Sequence, residues 1–359
     1  MRSEPDGVEV VATRAQAASL SSPPLLVLES LAEFLDTAGL GAGPLEWQRI
    51  GEGQSNVTFL LRRGDREFVL RRGPRPPLPR STHDMARESR IQQLAKAAGV
   101  AVPQIHATCT DESVLGVPFY VMEFLDGLVI TDEEPEAFAG AEQRRAIAFA
   151  TLDELVGLHG IDVTRGGLET IGRPDGYLTR QVGTFSTLWE QVTERSVPQV
   201  IEAGSWLASH VPVSQRAALV HGDYRIGNLM FAKEDRPRVM AILDWEMATL
   251  GDPLADLGYF LATYGQAGAD ATPLELTPVT RNDGYPTRDE LAERYAAATG
   301  LDLAELRWYQ ALAMWKASVF CEAIYTRWLH GERPGDEFAP LLEEGVPKLA
   351  EEALRHIAG

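Results

Sequence analysis

The sequence predicts an α+β protein in two lobes, a small one built on an antiparallel sheet and a larger, mostly helical one. Three observations lead there. From Trp47 to Arg72 apolar residues alternate along short runs broken by turn residues, the period of half-buried strands. Beyond Gly127 the apolar spacing becomes that of amphipathic helices. A chain of 359 residues is also too long for one simple core. The expected divisions are an N-terminal arm and helix over 1–44, a strand-rich lobe over 45–125 and a helical lobe over 126–359.

Residues 1–23 carry little periodicity and read as a loose or surface-bound arm. A helix is predicted from Leu25 to Ala38, with Leu28, Leu31 and Leu35 on one stripe and Gly39 as its stop. Val57, Phe59 and Leu61 alternate along one strand, Gly64-Asp65 turns the chain, and Phe68 and Leu70 alternate along the next. Prolines make 75–80 a loop. A helix follows from Met85 to Ala98, its stripe holding Ile91, Leu94 and Ala98 with Glu88 on the same side. Leu115 to Phe124 reads as a buried strand. Then come helices from Gln143 to His159, along a segment to about His210, and around 287–299, 303–330 and 337–358. Strand-like runs at Asn228 to Ala232 and Val239 to Leu243 interrupt them.

Composition excludes several classes. Hydrophobic residues at 45% and charged residues at 24% describe a globular chain rather than a disordered one. No run of about 18 apolar residues offers a membrane span, and Glu4, Asp6 and Pro23-Pro24 spoil a secretory signal. The two cysteines, Cys109 and Cys321, imply no disulfide framework, so a reducing cytoplasm is the expected home. A net charge of −19 argues against nucleic acid. It suits a cationic small molecule, or simply solubility.

The densest signal is His221-Gly-Asp-Tyr-Arg-Ile-Gly-Asn228, followed by Val239-Met-Ala-Ile-Leu-Asp-Trp245. An Asp beside a His is commonplace. An H-x-D-x-x-x-x-N pattern followed by an apolar strand that ends in Asp is not. Phosphoryl transfer to a hydroxyl needs a carboxylate to accept the hydroxyl proton and two oxygen ligands to hold metal against a triphosphate. Asp223 suits the first task, Asn228 and Asp244 the second. Mg2+ is a hard cation that favours oxygen donors and shares its shell with phosphates.

The stretch His221 to Tyr259 resembles the aminoglycoside phosphotransferase and choline-kinase-like families. Within them it most resembles the phosphotransferase-like proteins related to the N-terminal domains of acyl-CoA dehydrogenase fusions. The resemblance covers about residues 45–330, and 219–260 is its specific part. It implies a protein-kinase-like two-lobe fold, with Asp223 as catalytic base, Asn228 and Asp244 on magnesium, and His221 bracing the loop.

In the small lobe the same resemblance implies a phosphate-covering loop at Gly51-Glu-Gly-Gln-Ser-Asn56. Gly51 and Gly53 keep two glycines of a G-x-G-x-x-G pattern and Asn56 replaces the third; backbone N–H groups and Ser55 would meet the phosphates. An ordinary hairpin turn reads equally well there. Arg71 takes the place of the kinase nucleotide lysine, and alternation puts Arg72 on the face of Phe68 and Leu70 instead. Glu88 is the expected partner of Arg71, with local pairing to Arg87 or Arg90 as the alternative. Along Tyr120 to Gly127, Met122 would lie behind adenine, the Glu123 carbonyl would accept from it and the Leu125 N–H would donate.

No activation segment closing in Ala-Pro-Glu follows Asp244, which favours a small-molecule acceptor over a protein. Asp256 reads as a cap or brace for the helix after it. Trp308, Trp315, Lys316, Glu322 and Tyr325 could line an acceptor pocket, although their spacing makes most of them core. The expectation is an ATP- and Mg2+-dependent kinase, GTP left open, acting on a hydroxyl of a metabolite or an aminoglycoside-like antibiotic. It would be a cytoplasmic monomer or homodimer without nucleic-acid or membrane partners. The rival is a nucleotide-binding regulatory module that lacks catalysis.

Overall fold

A computed structural model describes residues 3–4, 7–51, 56–76 and 84–358. The chain forms two compact units, Met1–Asp126 and Gly127–Gly359.

The first unit is built on a five-stranded antiparallel sheet. Its strands are β1 (Leu45–Ile50), β2 (Val57–Arg63), β3 (Arg66–Arg72), β4 (Ile105–Cys109) and β5 (Phe119–Glu123), in the order β1-β2-β3-β5-β4. Register pairs Phe59 with Leu70, Leu61 with Phe68 and Leu70 with Val121. Because side chains alternate across a strand, these residues share one face with Phe119 and pack with Leu31 and Leu35 of helix α1 (Leu28–Thr37). Each large apolar side chain so buried contributes about 1.5–3 kcal/mol. The opposite face carries Tyr120 and Met122, packed with Ile105 and with Met85 of helix α2 (Met85–Ala97).

Several expected elements differ. Of the two readings of the arm, residues 9–27 follow the bound one: Val10-Val11 pair in parallel with Leu26-Val27, and Arg49 Nη1 meets Glu9 Oε1 at 3.0 Å. That strand pairing delays the start of α1 from Leu25 to Leu28. The stripe of α2 is Glu88, Ile91, Gln92 and Ala95; Ala98 is exposed. Leu115 ends a short helix over Glu112–Leu115, so the buried strand begins only at Phe119.

Arg72 lies on the core face and is fully buried. Its guanidinium donates to the carbonyls of Gly73 (2.9 Å), Leu115 (3.2 Å), Pro74 (3.3 Å) and Leu25, which replace the lost water. Burial, and then the charge of Arg75, pulls its pKa down to about 10.

The second unit is mainly helical: α3 (Ala141–His159), α4 (Tyr177–Val192), α5 (Pro198–Ser209), α6 (Pro253–Thr263), α7 (Arg288–Thr299), α8 (Leu306–Leu329) and α9 (Leu342–Ala358). The segment expected to run to His210 is two helices, with Pro198 starting the second. Helix α8 packs against α4, α5, α6 and α9. Gly258 of α6 makes the α6–α8 approach close, since a Cβ there would lie 2.7 Å from the Tyr309 backbone. Two small sheets complete the unit. One orders β6 (Leu128–Val129), β8 (Leu229–Phe231) and β9 (Val239–Ile242); the other pairs β7 (Ala218–Val220) with β10 (Thr249–Gly251). Asn228 belongs to a 3-10 turn, Ile226–Asn228, and not to the strand that follows it. Among the described residues no helix is long and apolar enough to cross a membrane.

Candidate active site

The loop after β7 is held from behind by one buried carboxylate. Asp256 accepts from the His221 N–H at 2.7 Å (Oδ2) and from the Gly222 N–H at 2.8 Å (Oδ1). His159 Nε2 lies 3.2 Å from the same Oδ2, and His159 Nδ1 is 2.7 Å from the Tyr295 hydroxyl. Burial by itself would raise the Asp256 pKa. The His159 hydrogen bond and charge and the Gly222 N–H outweigh it and hold the carboxyl below its usual value. Gly222 sits at φ +87, where a Cβ would lie 2.8 Å from Met247 Cβ and 2.9 Å from its carbonyl oxygen, so the turn admits no side chain.

His221 ties the loop to the strand that brings Asp244. Its Nε2 faces the Leu243 carbonyl at 2.8 Å and its Nδ1 faces the Asp223 N–H at 3.3 Å. These partners fit the tautomer with the proton on Nε2. The Leu243 N–H in turn donates to the Asn228 carbonyl at 2.8 Å. Both backbone groups of Leu243 are thus fastened to the loop, and the next residue is Asp244.

Asn228 Nδ2 donates to Asp223 Oδ2 at 2.7 Å and to the Asp223 carbonyl at 2.8 Å. Asp223 Oδ1 is buried without a hydrogen-bond partner among the described residues, and Arg225 Nε stands 3.8 Å from it. Asp244 has φ +65, the one positive value at a non-glycine among the described residues. Such strain survives where the surroundings impose it, and it marks functional positions. Tyr259 of α6 bears on the same centre: burial first, then the Asp223 charge and a hydrogen bond to the Asp223 side chain, raise its hydroxyl pKa well above normal.

Among the described residues no three His, Cys, Asp or Glu side chains form a metal-holding group. Two carboxylates and an amide carbonyl remain as a hard oxygen set. The Asn228 and Asp244 oxygens are of the kind that fits Mg2+, which keeps part of its shell for phosphate and water.

In the first unit, Arg71 pairs across the sheet with Tyr120 and points to the α2 face. Its Nε is 3.1 Å from Glu88 Oε1; Arg71 is 16% and Glu88 2% exposed. The Tyr120 hydroxyl donates to the same Oε1 at 3.0 Å and accepts from Gln92 Nε2 at 3.0 Å. The Glu123 N–H donates to the Gln104 carbonyl, and its carboxylate accepts from the Gln104 N–H at 3.0 Å. Met122 lies opposite Val69 and Ile105, and Leu125 is half-buried just beyond β5. Gly51 is exposed with φ +76 and Asn56 is buried; Gly53 and Ser55 lie outside the described residues.

One sequence expectation is corrected. Asp256 does not cap α6. Asp252 does, accepting from the Leu254 N–H at 2.9 Å, with its other oxygen 2.9 Å from the Tyr309 hydroxyl. The Asp252-Pro253 pair was the available signal, since Pro favours the first helical position after a capping Asp. Most acceptor candidates on α8 are core. Trp308 and Trp315 are buried with Nε1 on the carbonyls of Leu207 and Val200, and Glu322 is taken by Arg195. His159, Arg225 and Tyr259 were missed, because nothing local in the sequence marks them.

A small antiparallel-sheet unit followed by a helical unit with this loop is a protein-kinase-like, two-lobe α+β architecture. Residues 46–312 match the family model described as the phosphotransferase enzyme family (APH), and the chain belongs to that family. Among curated relatives, it is 34% identical over 303 residues to mouse (Mus musculus) acyl-CoA dehydrogenase family member 10, covering 81% of this chain. It is 33% identical over 323 residues to chicken (Gallus gallus) acyl-CoA dehydrogenase family member 11, covering 85% of this chain. The chain spans only 27% and 40% of the lengths of those two proteins. Among solved structures, a Ralstonia eutropha JMP134 protein described as an aminoglycoside phosphotransferase superposes with TM-score 0.77 at 28% identity, covering 91% of this chain and 97% of that one. An aminoglycoside phosphotransferase, APH(4)-Ia, solved with AMP-PNP and hygromycin B, shares the fold at TM-score 0.60 and 17% identity, covering 92% of this chain and 99% of that one.

Proposed function

We propose that this protein transfers the γ-phosphate of ATP to a hydroxyl of a small molecule, with Mg2+ as cofactor. The observation that carries the reading is the fastening of Asp223 to Asn228, and of Asn228 to Leu243, the residue before Asp244. Asn228 holds Asp223 through Oδ2, so Oδ1 is the atom that takes the acceptor's proton. His221 and Asp256 keep the loop in place and touch no reacting atom. Asn228 Oδ1 and the Asp244 carboxylate are the oxygens offered to Mg2+, which when bound neutralises charge on the transferring group.

For the first unit we assign residues 45–125 to nucleotide binding. Arg71, 3.1 Å from Glu88 at Nε, is the cation assigned to the phosphate oxygens. Gly51, Gly53, Ser55 and Asn56 are assigned to contact with the phosphates. The Glu123 carbonyl and the Leu125 N–H take the base edge. Residues 126–359 carry catalysis and acceptor binding, and 1–44 serve as an arm and helix. Two free cysteines suit a reducing cytoplasm.

The test is ADP release from ATP and Mg2+ with two acceptor sets, hydroxylated metabolites and aminoglycosides. Turnover of a metabolite is the expected result. Activity on aminoglycosides alone would reassign the acceptor. Tight ATP binding with no turnover across a broad hydroxyl library would make the protein a regulatory binder.

A further inference from the structure

Lys316 is the one acceptor candidate on α8 that the core does not absorb. Glu322 is fully buried and gripped by Arg195 at 3.0 Å (Nε) and 2.8 Å (Nη2), and the Arg195 guanidinium covers Tyr325 at 4.4 Å. Both are structural. Lys316 instead has a single hydrogen-bond partner, Gln181 Oε1 of α4 at 2.9 Å, and lies 4.7 Å from the Phe185 ring. It forms no ion pair among the described residues. An ammonium has three donors, and here two are unused.

Its surroundings are those of a binding site rather than of a core. The charges of Asp256 and Asp223 act on Lys316, which puts it within electrostatic reach of the proposed base. Phe320, one turn further along α8, stands edge-on to Phe185 at 5.0 Å and remains 43% exposed, so the aromatic wall reaches solvent. Keeping a half-buried ammonium with no ion-pair partner in direct contact is costly, and a methionine would pack there without that cost. The cation is explained if its partner arrives with the substrate.

We propose that Lys316 selects the acceptor. Its ammonium anchors an anionic group, a carboxylate or a phosphate, of a hydroxylated molecule whose apolar part lies on Phe185 and Phe320 and whose hydroxyl reaches Asp223. This rests on the kinase reading and sharpens it. An aminoglycoside would bring further cations towards Lys316, whereas a hydroxy acid or a phosphorylated alcohol brings the missing charge.

The experiment compares wild type with Lys316→Met and Lys316→Arg. Three acceptor sets of matched length are used: hydroxy carboxylic acids, phosphorylated alcohols, and neutral or cationic alcohols. With the best anionic acceptor, Lys316→Met should raise KM about 10- to 100-fold and change kcat and the KM for ATP little. Lys316→Arg should recover part of the loss. Preference between the first two sets tells carboxylate from phosphate. Equal or better use of neutral or cationic alcohols by wild type, or an unchanged KM in Lys316→Met, overturns the assignment and leaves the kinase reading standing. Equilibrium binding of the same anions, with a non-hydrolysable ATP analogue and Mg2+ present, reads Lys316 without turnover. Weaker binding in Lys316→Met supports the assignment even if no acceptor is phosphorylated, a result that would overturn only the kinase reading. Equal binding, or none, overturns it. A thermal midpoint for Lys316→Met at or above that of wild type confirms an intact fold.

Discussion

Asn228 grips Asp223 twice, at the side chain through Oδ2 (2.7 Å) and at the backbone carbonyl (2.8 Å). One carboxylate oxygen is therefore committed to holding the loop, while Oδ1 has no hydrogen-bond partner among the described residues. A carboxylate divided in this way has its two oxygens in different surroundings, one held by Asn228 and the other 3.8 Å from Arg225 Nε.

Asp223→Ala should lower kcat by about 10²- to 10⁴-fold, the range for loss of a general base. ATP binding should stay within a few-fold of wild type. Single-turnover phosphoryl transfer together with an ATP titration checks both halves, and unchanged turnover would remove Asp223 from the chemistry.

Asp244 tests metal binding separately from backbone geometry. Its φ of +65 is one that Asn tolerates and most residues resist. Asp244→Asn should keep the fold and raise the Mg2+ concentration needed for half-maximal activity by about tenfold or more. Asp244→Ala should lose both metal and some stability, about 1–2 kcal/mol from the strained residue. Mg2+ titrations and urea unfolding of the two variants distinguish these outcomes.

Asp256 supplies stability that depends on pH. Its folded pKa lies below the unfolded value, so its contribution is fully present above the ordinary carboxylate pKa and disappears as pH falls through the lower folded value. Asp256→Ala leaves the His221 and Gly222 N–H groups and His159 without their partner, and should cost about 3–5 kcal/mol near neutrality. Urea unfolding at pH 7 and at acid pH should show the gap between wild type and variant closing in acid. A gap that widens there would contradict the assignment.

Lys316 should impose an upper pH limit on acceptor binding. Burial lowers its pKa to about 8 against the opposing pull of Asp256 and Asp223, with the neutral Gln181 amide and Phe185 ring on the facing helix. The ammonium is lost above that pH, so the KM for an anionic acceptor should climb there, approaching tenfold per pH unit. Lys316→Arg, charged throughout, should flatten the profile. Initial rates between pH 6.5 and 9.5 would show a flat wild-type KM if Lys316 has no such role.

Local pattern carried much of the reading. Strand alternation put Arg72 with Phe68 and Leu70 and turned Arg71 to the face where Glu88 lies, and both side chains are found there. The ends of elements were harder. Leu26-Val27 became a strand because Val10-Val11 lies beside it, a partner 16 residues away that no local window contains. Leu115 joined a short helix for its own local reason, the Asp111 cap that accepts from the Ser113 N–H.

The chain's order alone placed Asp223 and Asn228 on one short loop and Asp244 just after the apolar strand Val239–Ile242, since spacing along a turn and a strand limits where such side chains can go. It could not say what holds that loop or what stands near it. Asp256 reaches His221 across 35 positions and Lys316 meets Gln181 across 135, so their neighbours are set by which faces α6, α4 and α8 turn to one another. Helical periodicity tells which residues share a face. Only the packed fold shows that Asp256 braces a loop, that Glu322 is locked to Arg195, and that Lys316 has the Gln181 amide and the Phe185 ring beside its ammonium.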